Sequence, residues 1–366
     1  MTVGILGAGQ LARMLALAGY PLGMNFRCYD PTPDSPAAPM APQTIGNYED
    51  FDALAKFASA IDVLTYEFEN VPVAAARFLA ERAPVYPPPA ALEAAQDRLT
   101  EKTLFASLGI PTPPFVPINS LLELENAVTK LGLPAVLKTR RMGYDGKGQT
   151  LLRANADIVP AWEALGSGSV PLILEGFVPF DRELSLLLVR GRDGGSVCYP
   201  LVENQHREGI LRQSIAPSEN VTPALQAQAE LYGDLVADAL DYVGVLAIEF
   251  FVQDGRLIAN EMAPRVHNSG HWTIEGAETS QFENHLRAVA GLPLGSVECV
   301  GFSAMLNLIG TTPDANAILA VPGAHLHLYG KSPRPGRKLG HITLRADDMQ
   351  ALAHRLETLR ALIPDV

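Results

Sequence analysis

Six residues, Pro84-Val-Tyr-Pro87-Pro88-Pro89, divide this chain more sharply than any other feature. Proline fixes φ and lacks an amide donor, so the stretch interrupts helix and strand alike and reads as an extended connector. Ahead of it, apolar runs at 3–6, 25–29 and 61–65 alternate with a helical stretch at 10–18. Such alternation predicts a parallel sheet with crossover helices. Behind it, the pattern changes. A helix is expected over 90–108, closed by Gly109 and followed by Pro111 and Pro113, then a helix over 121–131 and a strand over 135–138. Further strands are expected at 172–175, 183–190 and 196–200, and a long helix at 223–243 leads to two apolar strands, 245–252 and 257–261, turned at Asp254-Gly255. The tail reads as strands at 306–309, 325–329 and 341–344, with a final helix starting near Asp347-Asp348.

The expected class is therefore α/β followed by α+β. The expected divisions are 1–90 (parallel sheet), 91–170 (small subdomain with a glycine-rich flap), 171–302 (large subdomain) and 303–366 (small β-rich tail). The length of 366 residues suits two to three cores rather than one. A net charge of −12 provides no basic excess for a polyphosphate backbone, which argues against nucleic acid as a partner. No apolar run reaches about 18 residues and no signal-peptide pattern opens the chain, so a soluble, cytoplasmic protein is expected. Cys28, Cys198 and Cys299 match no metal or redox spacing and read as buried thiols in a reducing compartment.

Two glycine-rich segments compete as phosphate sites. Gly7-Ala-Gly9-Gln-Leu-Ala12 follows a strand, opens a helix, and has Asp30 at the end of the next strand, which fits a dinucleotide fingerprint. It also fits a tight turn that needs glycine for packing. Gly143-Tyr-Asp-Gly146-Lys-Gly148-Gln149 follows Lys138 and has three glycines in six residues with an interleaved lysine. Its amides and ammonium can close over polyphosphate, although it is not a Walker loop.

Glu249 interrupts an apolar run, where an unpaired carboxylate is costly. Glu261 lies across the expected hairpin. A three-residue turn would set it opposite Glu249, whereas a two-residue turn would set Asn260 there. Two convergent carboxylates suit Mg²⁺, which takes oxygen ligands together with water and nucleotide phosphate. Each could instead be satisfied separately by arginine or amides. The next loop carries Arg265, His267, Asn268, Ser269 and His271, a donor-rich set suited to substrate. Lys331, Arg337 and Lys338 surround a late turn and suit a terminal phosphate.

Taken together, these segments resemble the ATP-grasp carboxylate–amine ligases, and within them the branch that carboxylates aminoimidazole ribonucleotide in purine biosynthesis. The resemblance rests on Gly9-Gln-Leu-Ala-Arg-Met-Leu, Asp97-Arg-Leu-Thr-Glu-Lys, the 143–149 segment, Asn260-Glu-Met-Ala-Pro-Arg-Val-His-Asn-Ser-Gly-His-Trp and Pro335-Gly-Arg-Lys-Leu-Gly-His. It implies an ATP-grasp fold behind a Rossmann-like domain. It also implies an enzyme using ATP, bicarbonate and the ribonucleotide through carboxyphosphate, with Mg²⁺, as a homodimer.

By the same resemblance, Arg98, Lys138 and Gly143, Tyr144, Asp145, Gly146, Lys147, Gly148 and Gln149 would contact ATP phosphates. Glu175, Gly176, Phe177 and Val178 would form the adenine-side hinge, Glu183 would accept from ribose, and His206, Asn260 and Glu261 would complete the nucleotide site. Glu249 and Glu261 would hold the metal. Tyr144, Lys147, Arg265, His267 and Asn268 would line the reacting region, Lys331, Arg337 and Lys338 the substrate phosphate, and Gln10, Glu67 and Glu69 the substrate. Which of Glu67 and Glu69 faces substrate stays open. The wider superfamily's E-x-N is missing here, because Asn260 precedes Glu261. The competing readings are a formate-dependent glycinamide ribonucleotide transformylase and an NAD(P) oxidoreductase.

Overall fold

The computed structural model describes residues 1–143 and 146–363. Tyr144 and Asp145 therefore lie outside the described residues. Three sheets account for the chain. The first is parallel, ordered β3-β2-β1-β4, from β1 (Thr2–Leu6), β2 (Asn25–Asp30), β3 (Gln43–Ile45) and β4 (Val63–Tyr66). Its crossovers are α1 (Gln10–Gly19) and α2 (Phe51–Ala58), and α3 (Val73–Ala80) follows β4. Asp50 caps α2 by accepting from Ala53 N–H at 2.9 Å.

The expected helix over 90–108 is two helices, α4 (Pro89–Gln96) and α5 (Arg98–Ser107). Asp97 breaks it with extended φ,ψ of −127° and 111°, and its carboxylate caps α5 at Leu99 N–H, 3.0 Å away. A side chain that serves as an N-cap cannot sit inside a helix, and apolar periodicity does not register this.

The second sheet is small and antiparallel, ordered β5-β8-β6-β7: β5 (Phe115–Ile118), β6 (Ala135–Thr139), β7 (Gln149–Leu152) and β8 (Leu172–Gly176). The glycine-rich segment is the connection of the β6–β7 hairpin.

The third sheet has nine antiparallel strands: β9 (Arg182–Arg190), β10 (Ser196–Cys198), β11 (Val202–Arg207), β12 (Ile210–Ala216), β13 (Gly244–Gln253), β14 (Arg256–Ala263), β15 (Phe302–Ile309), β16 (Ala324–Leu328) and β17 (Lys338–Ala346). Their order is β14-β13-β9-β11-β12-β15-β17-β16, with β10 on β9. The tail strands thus extend the same sheet that carries the glutamate hairpin. Its final helix is Met349–Leu362, capped by Asp348. Helix Gln281–Ala290 packs between α1 and β13, and one apolar core containing Ile5, Leu187, Val245, Phe282 and Leu286 joins the first sheet to the third. No helix among the described residues is long and apolar enough to cross a membrane.

Candidate active site

A cavity of about 620 Å³ opens where the three sheets meet. Gln10, Glu67, Glu69, Arg98, Gly143, His206, Glu249, Glu261, Arg265, His267, Asn268 and Lys338 all line it. Residues from the first and last sequence motifs are thereby brought to one place.

The glutamate pair faces across β13 and β14, but not by the expected route. The turn has two residues, since Gln253 pairs with Arg256, with Asp254 and Gly255 both at positive φ. Counting back from such a turn would set Asn260 against Glu249. A β-bulge opposite the Glu249–Phe250 step makes Asn260 the extra residue, and Glu261 pairs with Glu249. The two carboxylates are not equivalent. Burial and the nearby Glu261 push Glu249 above the usual carboxylate range. Burial would raise Glu261 too, but Arg98, 2.9 Å away, holds it below that range. The partner of Glu249 is His267 Nε2 at 3.5 Å.

Among the described residues, no group of three or more His, Cys, Asp or Glu side chains gathers as a metal cage. Glu249 and Glu261 present oxygen-only donors on the cavity wall, and Asn260, next to Glu261 in sequence, carries a buried Oδ1 without a partner. That fits Mg²⁺, which keeps several waters and takes nucleotide phosphate oxygens as well.

Lys138 lies near the end of β6 with its ammonium 2.8 Å from Glu175, and the fully buried Lys102 stands 3.5 Å from the same oxygen. Burial alone would raise Glu175, yet these two cations hold it at about 2. Glu175, Gly176, Phe177 and Val178 form the covalent crossing from β8 towards β9, and Phe177 is exposed while Val178 is buried. At its far end, Asp181 N–H donates to Val252 O at 2.8 Å, fastening the crossing to β13. Glu183 Oε2 and His206 Nδ1 are hydrogen-bonded at 2.9 Å; burial would lower His206, but Glu183 raises it.

In the donor-rich loop, Arg265 is ion-paired to Glu69. His267 is pushed down to about 3 by burial and by Arg265, so it is a neutral imidazole near neutral pH, with Nδ1 2.8 Å from Ser269 Oγ. Asn268 and Asn307 exchange two amide hydrogen bonds, at 3.1 and 2.8 Å. His271 is buried and packs against His341, 4.7 Å between ring centroids. The basic turn is split: Lys338 lines the cavity, Lys331 donates to Gln10 Oε1, and Arg337 folds back onto Ser332 O and Oγ at 3.1 Å each. Lys147, Gly148 and Gln149 return along the hairpin, with Gln149 paired to Lys138 and Gly148 O accepting from Thr139 N–H at 2.8 Å.

Glu67 resolves the N-terminal glycine motif. Its carboxylate accepts from Gly9 N–H at 2.7 Å and from the N–H groups of Leu11 and Ala12 at 3.1 and 3.2 Å. A Cβ on Gly7 or Gly9 would fall 2.5 or 2.6 Å from Glu67 atoms. The helix N-terminus that a dinucleotide pyrophosphate would use is filled by the protein's own anion. The dinucleotide reading fails there.

Three family models match in series: the ribonucleotide synthetase preATP-grasp domain over residues 1–96, the ATP-grasp domain over 103–282, and the phosphoribosylaminoimidazole carboxylase C-terminal domain over 303–355. The N5-carboxyaminoimidazole ribonucleotide synthase of Pseudomonas aeruginosa is 56% identical over 363 residues, covering 99% of each chain. The chain belongs to the N5-carboxyaminoimidazole ribonucleotide synthase family. It is an ATP-dependent ligase of purine biosynthesis with the ATP-grasp fold. Among solved members of that family, the synthetase from Thermus thermophilus is 58% identical with a TM-score of 0.95, covering 100% of this chain and 99% of its own. The Aspergillus clavatus synthase in complex with ADP and 5-aminoimidazole ribonucleotide is 33% identical with a TM-score of 0.93, covering 100% and 99%.

Residue-by-residue reading of the sequence missed Asp97, Glu101, Lys102, Arg140 and Asn307. Asp97 takes Arg140 at 2.9 and 2.7 Å and Arg141 at 3.2 Å, anchoring the base of the flap to the start of α5. The signal was present in Asp97-Arg-Leu-Thr-Glu-Lys, where three charged neighbours of Arg98 recur at helical spacing.

Proposed function

We propose that the cavity performs the ligase reaction with the following division of labour. Lys138, Arg98 and the flap residues Gly143, Gly146, Lys147, Gly148 and Gln149 hold the ATP phosphates, with Tyr144 and Asp145 assigned by family resemblance alone. Glu175, Gly176, Phe177 and Val178 receive adenine, and Glu183 with His206 receives ribose. Glu249 and Glu261 hold Mg²⁺, with Asn260 beside them; the ion would offset charge on the transferring phosphoryl group.

A bicarbonate oxygen attacks the γ-phosphorus, the bond to the β-phosphate oxygen breaks, and ADP leaves as carboxyphosphate forms. Arg98 and Lys147 offset the charge that develops, the main demand of phosphoryl transfer. Carboxyphosphate then loses phosphate to give CO₂, and the exocyclic amine of aminoimidazole ribonucleotide bonds to its carbon and releases one proton. Neutral His267 and the Glu69-bound Arg265 orient these partners, with Asn268 held in place by Asn307. Gln10, Glu67 and Glu69 face the ribonucleotide, and Lys331, Arg337 and Lys338 take its 5′-phosphate. Flap closure excludes water from carboxyphosphate.

The observation that carries this reading is the opposed Glu249–Glu261 pair on the wall of a cavity also lined by Arg98, Arg265 and Lys338. The test is ADP release with bicarbonate and aminoimidazole ribonucleotide. Both should stimulate it, and Glu249→Gln should reduce it by about 10²-fold or more. Undiminished release by Glu249→Gln would remove the pair from the mechanism. By family resemblance we also propose a cytoplasmic location and a homodimeric state, and sedimentation of the purified protein checks the second.

A further inference from the structure

The bulge that brings Glu261 opposite Glu249 has a support of its own. Ala259 and Glu261 are two residues apart, yet they pair with adjacent residues, Phe250 and Glu249. In a regular strand, residues two apart share a face. Here Ala259 points into the apolar core with Phe250, whereas Glu261 lines the cavity. The extra residue, Asn260, makes that switch, and a bulge leaves ladder groups without strand partners.

Those groups are met from one helix. Lys102 Nζ donates to Asn260 O at 2.6 Å and lies 3.4 Å from Ala259 O, while Glu101 Oε1 accepts from Met262 N–H at 2.7 Å. β14 is the last strand of its sheet, and Ala259 N–H turns outward to Pro111 O at 2.7 Å. α5 and the segment after it therefore stand where a further strand would be. Both side chains are buried, Lys102 at 0% and Glu101 at 2% exposure. Neutralising Glu175 does not account for Lys102, because Lys138 already pairs with that carboxylate more closely, at 2.8 against 3.5 Å. The shortest contact Lys102 makes is with the bulge carbonyl.

We propose that Glu101 and Lys102 are positioning residues that clamp Asn260 as the extra residue of the bulge and so keep Glu261 opposite Glu249. The proposal rests on the metal reading of that pair. Lys102 also spans the two sheets, because its remaining contact is Glu175 on β8 beside the hinge. The clamp thus ties the metal carboxylates to the strand that leads to the nucleotide.

The readout is Mn²⁺ binding to the full-length enzyme with saturating ADP, followed by electron paramagnetic resonance, which needs no turnover. Lys102→Met should weaken Mn²⁺ binding about tenfold while ADP binding in EDTA changes less than about threefold. Glu101→Leu should behave the same way. Glu101→Gln keeps a carbonyl oxygen for Met262 N–H and should retain most of the affinity. Mn²⁺ binding within about twofold of wild type in folded Lys102→Met, or equal losses in Glu101→Gln and Glu101→Leu, would overturn the clamp. If Lys102→Met does not fold, the two Glu101 variants decide on the same measurement. Glu249→Gln separates the two readings: if it binds Mn²⁺ as wild type does, the metal assignment fails. A crystal structure of Glu101→Leu then judges the clamp alone, and Glu261 still opposite Glu249 would overturn it.

Discussion

Two loops of this molecule carry glycines at spacings suited to an anion, and they have opposite fates. At Gly7-Ala8-Gly9 the amides at the start of α1 close on Glu67, and there is no room even for a methyl group. At the β6–β7 hairpin the glycines leave a backbone whose first member, Gly143, sits on the cavity wall. Lys138, at the base of that hairpin, is paired within the cation cluster around Glu175. Glycine spacing reports where amides can approach a negative charge. Whose charge it is depends on the strand that ends opposite, here β4 followed by Glu67.

The largest effect should come from the base of the second loop. Lys138→Met removes the closer partner of buried Glu175 and should cost about 3–5 kcal/mol in urea unfolding. It should also abolish measurable ATP binding; retention of both would break the contrast between the two loops. Next is the first loop. Glu67→Ala leaves three amides at a helix start without their acceptor and should cost about 1–3 kcal/mol. Equilibrium dialysis should find no NAD(P) binding in it, and ATP affinity should hold within about twofold.

A smaller effect is expected for Gly148→Ala, which places a side chain at φ +72° with its Cβ 2.6 Å from Thr139 Oγ1. The strain of about 1–2 kcal/mol should lower the melting temperature by about 2–6 °C and raise the KM for ATP. The smallest is a pH effect at Lys331, which touches Gln10 beside the first loop. Burial lowers it to about 8, so it is charged below that pH and loses its proton as pH rises through it. kcat/KM for the ribonucleotide should fall about twofold at that pH and further above it, and Lys331→Arg should move the fall to higher pH.

Much of the fold was legible because apolar runs in buried strands are long. Residues 245–252 and 257–261 read as a hairpin, and the structure extends them only to Gly244–Gln253 and Arg256–Ala263. Five strands were missed: Gln43–Ile45, Phe115–Ile118, Gln149–Leu152, Val202–Arg207 and Ile210–Ala216. They are short or carry polar residues that break the apolar pattern, such as Asn204 and Ser214, which hydrogen-bond inside the sheet, and Gln213, which accepts from Arg360 of the final helix. In the site, the types and neighbours of the key residues were readable, but register was not. One extra residue at Asn260 decided whether Glu261 or an amide faced Glu249, and a bulge leaves no mark in composition. Glu67 and Glu69 were recognised as a pair. Only the geometry separated them, sending Glu67 to the start of α1 and Glu69 to Arg265.

The continuity of the third sheet has one more consequence. β13, which carries Glu249, and β17, which begins at Lys338, belong to one hydrogen-bonded ladder, five strand spacings of roughly 4.8 Å apart along its surface. The glycine hairpin belongs to a different, smaller sheet. The large sheet nevertheless brings the carboxylate hairpin and the basic turn to one cavity, where Lys338 acts electrostatically on Glu249, so its strands curve around the site. A change in the curvature of that one sheet would therefore alter the carboxylate hairpin and the basic turn together, while the glycine hairpin reaches the same cavity from a separate sheet.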